Sequence, residues 1–561
     1  MTEGLSAGPA FEQILRDYYR VWFRYYPEAA VQAGVPDYAH LLTPYNEDAH
    51  AAVICLNNEL IIGLDDIDKD RLNPDQKLDF DILCSAAHLQ NQFLLEIQQY
   101  HIDPERFLPI NAIYQLLIRP VPDFAASLSA RLAAVSDHLA GAREYLRDKA
   151  ERIPSVWLGA AIVSARRGAE FIRDLRSHPK LADAAVAGLE KALPNAAQSL
   201  LDYAQFLEQE IGEKARGDFA CGPAYFNAAL RRRHFLDIDA EQLYEFGKEL
   251  FAKTQSDLKT ACKKLFGNDD IAAASRRIKA DHPQPENLLG VYRHHMQAAR
   301  VFVSEKNLVT LPQYEALEVV ETPVFLRHQI PFAAYSEPSP NDPAQQGYYY
   351  VTPPADAGQL AEHNNAGIMN TCVHEAWPGH HLQFVSANLN PAGRSLPRLL
   401  NASATLYEGW ALYCEQLMQE QGFLSRPEQH FLLLQDRLWR ALRIMIDIEI
   451  QTRGLSLAAA AERMVSDLGF PYAQAYADLM WYSKSPTVPL SYATGWALIN
   501  ALRDHLRADA ADFTLQAFHD RLLSAGTVAL PLVIQRLFGE AAWTTARETA
   551  FGIILPTLSS P

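Results

Sequence analysis

The sequence lacks three features that would place it in a specialised class of proteins. Its six cysteines are scattered without a C-x-x-C pair, which favours reduced thiols in a cytoplasm over a disulfide framework or a cysteine zinc site. No uncharged apolar run approaches the ~20 residues that a membrane span needs. The N-terminal stretch MTEGLSAGPAFEQ has neither the basic region nor the apolar region of a secretory signal. We therefore expect a cytoplasmic protein with no membrane partner.

Basic residues are also in deficit. The formal net charge is −17 and the pI is near 5.5, so nucleic acid is not expected as a partner. With 49% hydrophobic and 21% charged residues, the composition is that of an ordinary globular protein. A chain of 561 residues is long enough to bury at least one large core.

Helical periodicity dominates what is present. The stretch FEQILRDYYRVWFRYY has its apolar residues at the spacing of a core-facing helix. They are Phe11, Ile14, Leu15, Tyr18, Trp22 and Tyr25. Asp239 is placed to cap another helix, and Ser425 with Glu428 forms a capping-box pattern before a third. These patterns predict a mainly α fold.

One segment departs from the helical pattern. Eight prolines lie between Leu311 and Pro354, and they alternate with the runs LEVVETPVF and GYYYVT. Prolines interrupt helices, whereas β-branched and aromatic runs favour strands. We therefore predict a single domain with a small strand-containing, Pro-rich insert. Its parts are a helical part over 1–300, the insert over 301–355 and a second helical part over 356–561.

The octapeptide HEAWPGHH, which begins at His374, looks like an extended form of the zinc-protease motif H-E-x-x-H. On an ideal helix His374 and His381 would be two turns apart, roughly 10 Å along the axis, and His380 would point to another face. Pro378 and Gly379 relieve this misfit, because proline interrupts the helical hydrogen bonds and glycine permits unusual dihedral angles. We predict a helix bulge that brings His374 and one later histidine to the same ion, Zn2+ or another divalent metal.

A third ligand is expected from another helix, because a catalytic zinc takes three protein ligands and keeps one position for water or substrate. Glu408 lies in a helical pattern with Tyr407, Trp410 and Leu412, where a carboxylate is costly unless it is paired or metal-bound. Glu415 lies on the same face, but Glu408 is expected to be the more buried of the two. The competing interpretation is a structural or surface histidine cluster that binds no metal.

Four motifs together resemble the bacterial DUF885 family. Its H-E-x-x-P-G-H-H-L-Q stands intact as HEAWPGHHLQ, and its E-G-W-A-x-Y stands as EGWALY from Glu408. Its R-A-x-R-x-x-x-D appears as RALRIMID, with Arg440 and Arg443, and its S-Y-x-x-G appears as SYATG, with Tyr492. The resemblance is very specific over residues 347–540 and looser towards the N-terminus.

Members of this family are similar in fold to the M32 carboxypeptidases, a helical gluzincin architecture with a long substrate channel. The resemblance implies that His374, Glu408 and one histidine of the pair are metal ligands, and that Glu375 is the general base. The GHHL run is similar to the GHAL of such peptidases. This similarity favours His380 as the ligand and leaves His381 as an outer partner or an alternative ligand.

The residues expected on the substrate side are less clear-cut than the metal set. Tyr492 is a candidate hydrogen-bond donor to a tetrahedral oxyanion, with an ordinary buried tyrosine as the alternative. Tyr349, within YYY, lies either in an edge strand that pairs with substrate or in the core. Arg443, in the third motif, is a candidate substrate-binding residue.

Three residues depart from the family pattern on the expected substrate side. A histidine, an arginine and a glutamine of the family are replaced here by Gln451, Trp481 and Val488. Loss of the arginine suits a substrate without the anionic terminus that a carboxypeptidase grips.

The sequence thus predicts a zinc-dependent metallohydrolase with a large helical, metallopeptidase-like body. The expected activity is that of a peptidase, carboxypeptidase or dipeptidase, and the expected partner is a short peptide or small amide substrate. One alternative is hydrolysis of another amide or ester on the same metal site. A second alternative is a catalytically silent helical binding protein.

Overall fold

The computed structural model describes residues 6–182, 188–327, 330, 332–509 and 511–552. The chain divides into two compact units, and both are mainly helical. The first comprises Met1–Phe219, Pro323–His328 and Ser339–Asp342, and the second comprises Ala220–Thr322, Gln329–Pro338 and Pro343–Pro561. The division falls at residues 219 and 220 rather than near 300, where the sequence pattern changes. That the two units act as one domain stays a prediction.

The first unit contains nine α-helices within the described residues. They are α1 (Ala7–Tyr25), α2 (Pro27–Gln32), α3 (Glu47–Asp65), α4 (Pro74–Gln92), α5 (Ile110–Ile118), α6 (Phe124–Arg147), α7 (Ser155–Asp174), α8 (Pro179–Ala182) and α9 (Leu189–Phe206). Helix α1 buries Phe11, Leu15 and Tyr18, as predicted, and also Tyr19 and Phe23. The rings of Tyr19 and Phe23 stack with their centroids 5.6 Å apart. The buried stripe of α1 therefore differs from the prediction, because Tyr19 and Phe23 join it while Ile14, Trp22 and Tyr25 are only half-buried.

The second unit begins with four helices and then forms a small sheet. These elements are α10 (Gly222–Arg233), α11 (Ala240–Phe266), α12 (Ile271–Lys279), α13 (Leu288–Glu305), β1 (Ala316–Glu321), β2 (Ala333–Ser336) and β3 (Gln346–Val351). Asp239 caps α11 as predicted, because its carboxylate accepts a hydrogen bond from the backbone N–H of Gln242 at 2.9 Å.

Twelve further α-helices of the second unit follow within the described residues. They are α14 (Ala357–Glu362), α15 (Asn365–Glu375), α16 (His380–Leu389), α17 (Leu396–Leu400), α18 (Ala404–Glu420), α19 (Pro427–Thr452), α20 (Leu457–Leu468), α21 (Tyr472–Lys484), α22 (Ser491–Asp509), α23 (Leu515–Leu523), α24 (Leu530–Phe538) and α25 (Glu540–Phe551). The capping box predicted at Ser425 is wrong by one residue. Arg426 precedes α19, and its backbone N–H donates to the Gln429 side chain at 2.9 Å. Pro427 then takes the first helical position, which proline favours.

The predicted strand-containing insert is confirmed. Its strands form one sheet in the order β1-β3-β2, with β1 parallel and β2 antiparallel to β3. Strand β3 is therefore central rather than an edge, and the edge-strand interpretation of Tyr349 is wrong. Tyr349 is fully buried, and it lies opposite Tyr335 of β2 in the register. Since directly paired residues share a face of the sheet, both side chains lie on the same face.

Among the described helices, none combines the length and the apolar character that crossing a bilayer requires.

A buried histidine connects three segments of the second unit. His234, just after α10, is completely buried, with Nδ1 2.9 Å from Oγ of Ser403 and Nε2 3.0 Å from Oγ1 of Thr487. Ser403 precedes α18, and Thr487 lies in the turn before α22. The imidazole therefore holds together the starts of α18 and α22, the helices that carry the EGWALY and SYATG motifs. Burial, with a smaller effect of the Arg233 charge, lowers the pKa of His234 to about 3.

This histidine predicts a loss of stability in mild acid. Its folded pKa lies below the unfolded value of about 6.5, so the unfolded chain binds more protons as the pH falls below that value. Stability should therefore decrease by ~2 kcal/mol between pH 7 and pH 5 through this residue alone. Chemical denaturation midpoints should show a smaller pH 7 to pH 5 difference in His234→Asn than in the wild type. Exposed His40 gives the control, since His40→Asn should keep the wild-type difference; an unchanged difference in His234→Asn would contradict the assignment.

Candidate metal centre

The HEAWPGHH stretch breaks one helix and starts another. Helix α15 ends at Glu375 and α16 begins at His380, with residues 376–379 between them. The backbone N–H of Gly379 donates to the carbonyl of Val373 at 3.1 Å. A Cβ at Gly379 would lie 1.8 Å from the carbonyl oxygen of His374, so a side chain does not fit there. The prediction of a bulge within one continuous helix is thus wrong, because α15 ends at Glu375 and a separate helix begins at His380.

The restart brings two histidines and a carboxylate together, which the bulge was predicted to do. Nε2 of His374 lies 3.7 Å, and Nε2 of His380 3.3 Å, from Oε2 of Glu408. The two imidazole rings are perpendicular, with centroids 4.8 Å apart. One ligand atom from each of the three residues lies within 4.8 Å of the other two. The break in the helix replaces the two-turn separation with a single compact group.

Glu415 holds the first histidine from behind. Nδ1 of His374 lies 2.6 Å from Oε1 of Glu415, whose side chain is 5% exposed. A carboxylate only accepts, so Nδ1 carries the hydrogen and Nε2 faces the group. Burial acts against the charged ring, but the nearby carboxylates of Glu408 and Glu415 outweigh it and raise the pKa of His374 to about 10. Glu415 is more buried than Glu408, whose side chain is 12% exposed. This order is the reverse of the one expected from the sequence.

The second histidine is held mainly by rings. Within the described residues, Nδ1 of His380 is buried without a hydrogen-bond partner. Its ring lies 6.2 Å, between centroids, from each of Tyr335, Phe384 and Tyr407. His380 and His374 are therefore oriented by different means, the one by aromatic packing and the other by a carboxylate.

His381 lies away from the group, and both of its nitrogens are engaged elsewhere. Nε2 is 2.7 Å from Oε2 of Glu315, and Nδ1 is 3.1 Å from the hydroxyl of Tyr335. Glu315 in turn accepts a hydrogen bond from Nε of Arg300 at 2.7 Å. The side chains of His381 and Glu315 are 0% and 2% exposed. The structure therefore does not bring His381 together with His374 and Glu408, and its role as an outer partner of the metal site stays a prediction.

Glu375 lies at the end of α15, beside His374 and partly exposed. Its negative charge contributes to the raised pKa of His374 and, after burial, to the raised pKa values of Tyr292 and Tyr349. Tyr349 is thus near the candidate base, although it lies in the core. Its hydroxyl is buried without a hydrogen-bond partner among the described residues.

Tyr492 lies next to the carboxylate of the group. Burial and then the nearby Glu408 carboxylate raise the pKa of Tyr492 well above its usual value. The approach depends on two glycines, because a Cβ at Gly409 would lie 2.5 Å from Cα of Gly495, and one at Gly495 would lie 2.0 Å from the carbonyl of Thr405. Helices α18 and α22 therefore touch through their backbones, which explains the glycine in both the EGWALY and the SYATG motifs.

Arg443 is engaged within the protein rather than extended towards a substrate. It is 5% exposed and pairs with Asp478 at 3.2 Å. Its guanidinium lies 4.1 Å from the ring centroid of Trp439 and 4.6 Å from that of Tyr492. A role in positioning Tyr492 fits these contacts better than the substrate contact expected from the sequence.

The residues that depart from the family pattern do not share one surface. Gln451 is completely buried, and its amide donates to the carbonyls of Tyr482 and Ser483 at 3.1 and 3.2 Å. Its oxygen accepts from the backbone N–H of Cys221 at 3.0 Å. The expectation that Gln451 lies on the substrate side is therefore wrong. Trp481, which is 37% exposed, stays available to solvent.

Two residues of this arrangement were missed from the sequence. Glu315 and Tyr335 both lie in the Pro-rich segment, far along the chain from the histidines. The only local pattern that could have found Glu315 is a single carboxylate before a strand, and such carboxylates are common. Their roles depend on sheet register and helix packing.

The three convergent atoms fit a divalent cation. Oε2 of Glu408 is buried without a hydrogen-bond partner within the described residues, and two imidazole nitrogens face it. Two imidazoles and one carboxylate form the donor set of a catalytic zinc site. The hydrogen bond from His374 to Glu415 is the outer contact that such sites use to orient a ligand.

Glu415→Ala should weaken Zn2+ binding ~10–100-fold, as expected when an outer carboxylate partner is removed. Glu415→Gln should cost less, since an amide oxygen still accepts from Nδ1 of His374. Titration with a competing chelator measures both affinities. Glu420→Gln, on the exposed face of the same helix, is the control and should bind like the wild type. Equal affinities in Glu415→Ala and the wild type would show that this carboxylate does not orient the ligand.

Comparisons with known proteins agree on the fold. A family model described as a bacterial protein of unknown function (DUF885) matches residues 27–537. A candidate lipoprotein of unknown function from Shewanella oneidensis is 20% identical with a TM-score of 0.77, over 94% of this chain and 99% of that chain. A candidate lipoprotein from Colwellia psychrerythraea is 19% identical with a TM-score of 0.78, over 94% and 98% of the two chains. The similarities to these two solved structures show the fold alone.

A more distant similarity has been found to an enzyme. The M32 carboxypeptidase from Deinococcus radiodurans R1 aligns over 97% of this chain and 100% of that chain, with a TM-score of 0.40 and 13% identity. A similarity of that size carries no argument about function. Among curated proteins, none matches the chain in sequence.

Proposed function

We propose that this chain, which belongs to the DUF885 family of bacterial proteins, is a zinc-dependent hydrolase that cleaves short peptides. The observation that supports the proposal is the buried group of His374, His380 and Glu408 with Glu375 beside it. A structural histidine cluster needs neither a buried carboxylate oxygen that accepts no hydrogen bond from the described residues nor an adjacent glutamate.

His374, His380 and Glu408 would hold the metal through Nε2, Nε2 and Oε2. When bound there, a divalent ion would supply Lewis acidity, which lowers the pKa of a water molecule and polarises a carbonyl group. Because His374 has a raised pKa, its Nε2 must lose a proton before it can bind a metal. Metal affinity should therefore fall as the pH is lowered.

Glu375 would act as the general base and acid. Its carboxylate accepts a proton from the attacking water as the oxygen of that water bonds to the carbonyl carbon of the substrate. The protonated Glu375 then donates this proton to the amide nitrogen as the carbon–nitrogen bond breaks. Such proton transfers contribute ~10²–10⁴-fold to rates.

Tyr492 would donate a hydrogen bond to the oxygen that gains negative charge. A phenol beside the group is suited to this, because a hydrogen bond aimed at developing charge lowers the barrier. Arg443 packs on the Tyr492 ring and keeps the phenol in place. Burial and the neighbouring carboxylate keep Tyr492 protonated, which a donor requires.

Hydrolysis of another amide or an ester is the second candidate function. It is supported by Trp481, which stands exposed where the family has an arginine. The same metal group would serve, but the anionic terminus of a peptide would lack that partner.

Metal analysis and a substrate panel test these functions. Protein purified without chelator should contain about one zinc-class ion per chain. Removal of the metal should abolish cleavage of a peptide library followed by mass spectrometry, and added Zn2+ should restore it. Cleavage of the ester and amide members alone would favour the second function. Bound metal with no turnover of any member would support a catalytically silent binding protein.

The place of action is proposed to be the cytoplasm. All six cysteines are free, which suits a reducing compartment. Two solved structures of similar fold are described as candidate lipoproteins, and this description favours the cell envelope instead. Fractionation of cells that produce the full chain decides between the two locations.

A further inference from the structure

Three aromatic rings pack around one side of the metal group. Tyr335, Phe384 and Tyr407, together called the aromatic wall, each lie 6.2 Å from the ring of His380 between centroids. Within the wall the ring of Phe384 lies 6.2 Å from that of Tyr335 and 5.8 Å from that of Tyr407. The three rings therefore form one continuous apolar surface next to a candidate metal ligand.

The members of the aromatic wall retain solvent access. All three are intermediate in exposure, whereas Trp410 and Tyr413 on α18 are completely buried. Rings that serve only the core are normally covered, as these two are. An apolar surface that stays open beside a catalytic group is the usual form of a ligand pocket.

Two members of the wall lie on helices that also carry candidate metal ligands. Phe384 lies one helical turn after His380 on α16, so the two side chains share a face. Tyr407 immediately precedes Glu408 on α18. The wall is thus coupled to two of the three candidate ligands.

Tyr335 is fixed by a buried polar chain. Its hydroxyl lies 3.1 Å from Nδ1 of His381, and Nε2 of His381 lies 2.7 Å from Oε2 of Glu315. Nε of Arg300 in turn donates a hydrogen bond to Oε1 of Glu315 at 2.7 Å. Burying these charged and polar groups costs free energy, and their mutual hydrogen bonds offset part of that cost. A rigid ring loses little freedom when a ligand packs against it, and this favours recognition.

We infer that the aromatic wall is a specificity subsite that takes an aromatic or large apolar side chain of the substrate, adjacent to the scissile bond. The inference deepens the proposed function and rests on it. Aromatic rings pack well against an aromatic surface. A hydrophobic pocket discriminates by ~10–200-fold between substrates whose apolar groups differ by as little as one methylene. An acidic side chain gains no such packing from the wall.

The experiment uses two hydroxamates. Both bind zinc through the hydroxamate group, but one carries a phenyl substituent and the other a methyl substituent. Calorimetry on the zinc-loaded full chain gives the affinities of benzohydroxamate and acetohydroxamate. In the wild type benzohydroxamate should bind ~10-fold or more tightly than acetohydroxamate. Phe384→Ala, loaded with one equivalent of zinc, should reduce this ratio to near 1, because any change at His380 affects both ligands alike and only the phenyl group loses a contact. Phe384→Leu, which keeps most of the apolar volume, should give an intermediate ratio even if Phe384→Ala folds poorly.

Tyr472 provides the matched control, because it is an aromatic residue of the same unit that is 47% exposed on α21. Tyr472→Ala should keep the wild-type ratio. A ratio near 1 in the wild type, or an unchanged ratio in both Phe384 variants, would overturn the inference. Because the readout is binding, these results are separate from turnover. If the wild type prefers benzohydroxamate by ~10-fold but cleaves no peptide, the proposed peptidase function is wrong. The aromatic wall would still be a binding site for an apolar group.

Discussion

Glu375→Gln should bind Zn2+ as tightly as the wild type and hydrolyse peptides ~10²–10⁴-fold more slowly. The amide is nearly isosteric with the carboxylate but cannot accept a proton from water. The His374, His380 and Glu408 group does not include Glu375, so the affinity for the metal should not change. The measurements are a zinc titration and kcat on a substrate that the wild-type protein cleaves.

Glu318→Gln gives the control for this prediction. Glu318 is an exposed glutamate on β1 of the same unit, and its substitution should leave both quantities at the wild-type level. Turnover by Glu375→Gln at the wild-type rate would remove the base assignment while leaving the metal site intact. Loss of metal from Glu375→Gln would instead place Glu375 among the ligands.

His380→Ala should lose zinc affinity about as severely as His374→Ala and Glu408→Ala. Each of these variants deletes one of three convergent donor atoms. His381→Ala should lose only the ~10–100-fold expected of an outer partner, because its two nitrogens contact Glu315 and Tyr335. Competitive chelator titration ranks the four variants.

Circular dichroism should accompany these titrations, since a variant with wild-type helical content reports on the site and not on folding. The ranking is the decisive result. A smaller loss in His380→Ala than in His381→Ala would mean that the metal selects the more distant histidine and that the helices rearrange on binding. Full metal occupancy in His374→Ala would remove that residue from the site.

The element types were predictable because they depend on neighbours along the chain. The stripe Phe11, Leu15 and Tyr18 is buried on α1, and Asp239 caps α11. The proline-rich segment forms the predicted strands. Helical periodicity, capping and proline punctuation act within a few residues, so the sequence carries this information directly.

The form of the metal centre was less predictable. Pro378 and Gly379 were recognised as the source of a distortion, but whether the helix would bulge or stop depends on what surrounds it. Gly379 packs on the carbonyl of His374, and the indole N–H of Trp410 on α18 donates to the carbonyl of Pro378 at 2.7 Å. That second contact comes from another helix, so local rules do not contain it.

The sequence by itself therefore determined the mainly helical fold, the family and the residue types that converge, since motif spacing and periodicity are local properties. Only the tertiary structure decided which histidine joins His374 and Glu408, and that Glu415 rather than solvent faces Nδ1 of His374. It also decided that Tyr349 lies in a central strand, that Arg443 is enclosed and that Glu315 reaches His381. These outcomes depend on which faces of distant segments pack together. Local sequence patterns contain no information about such long-range contacts.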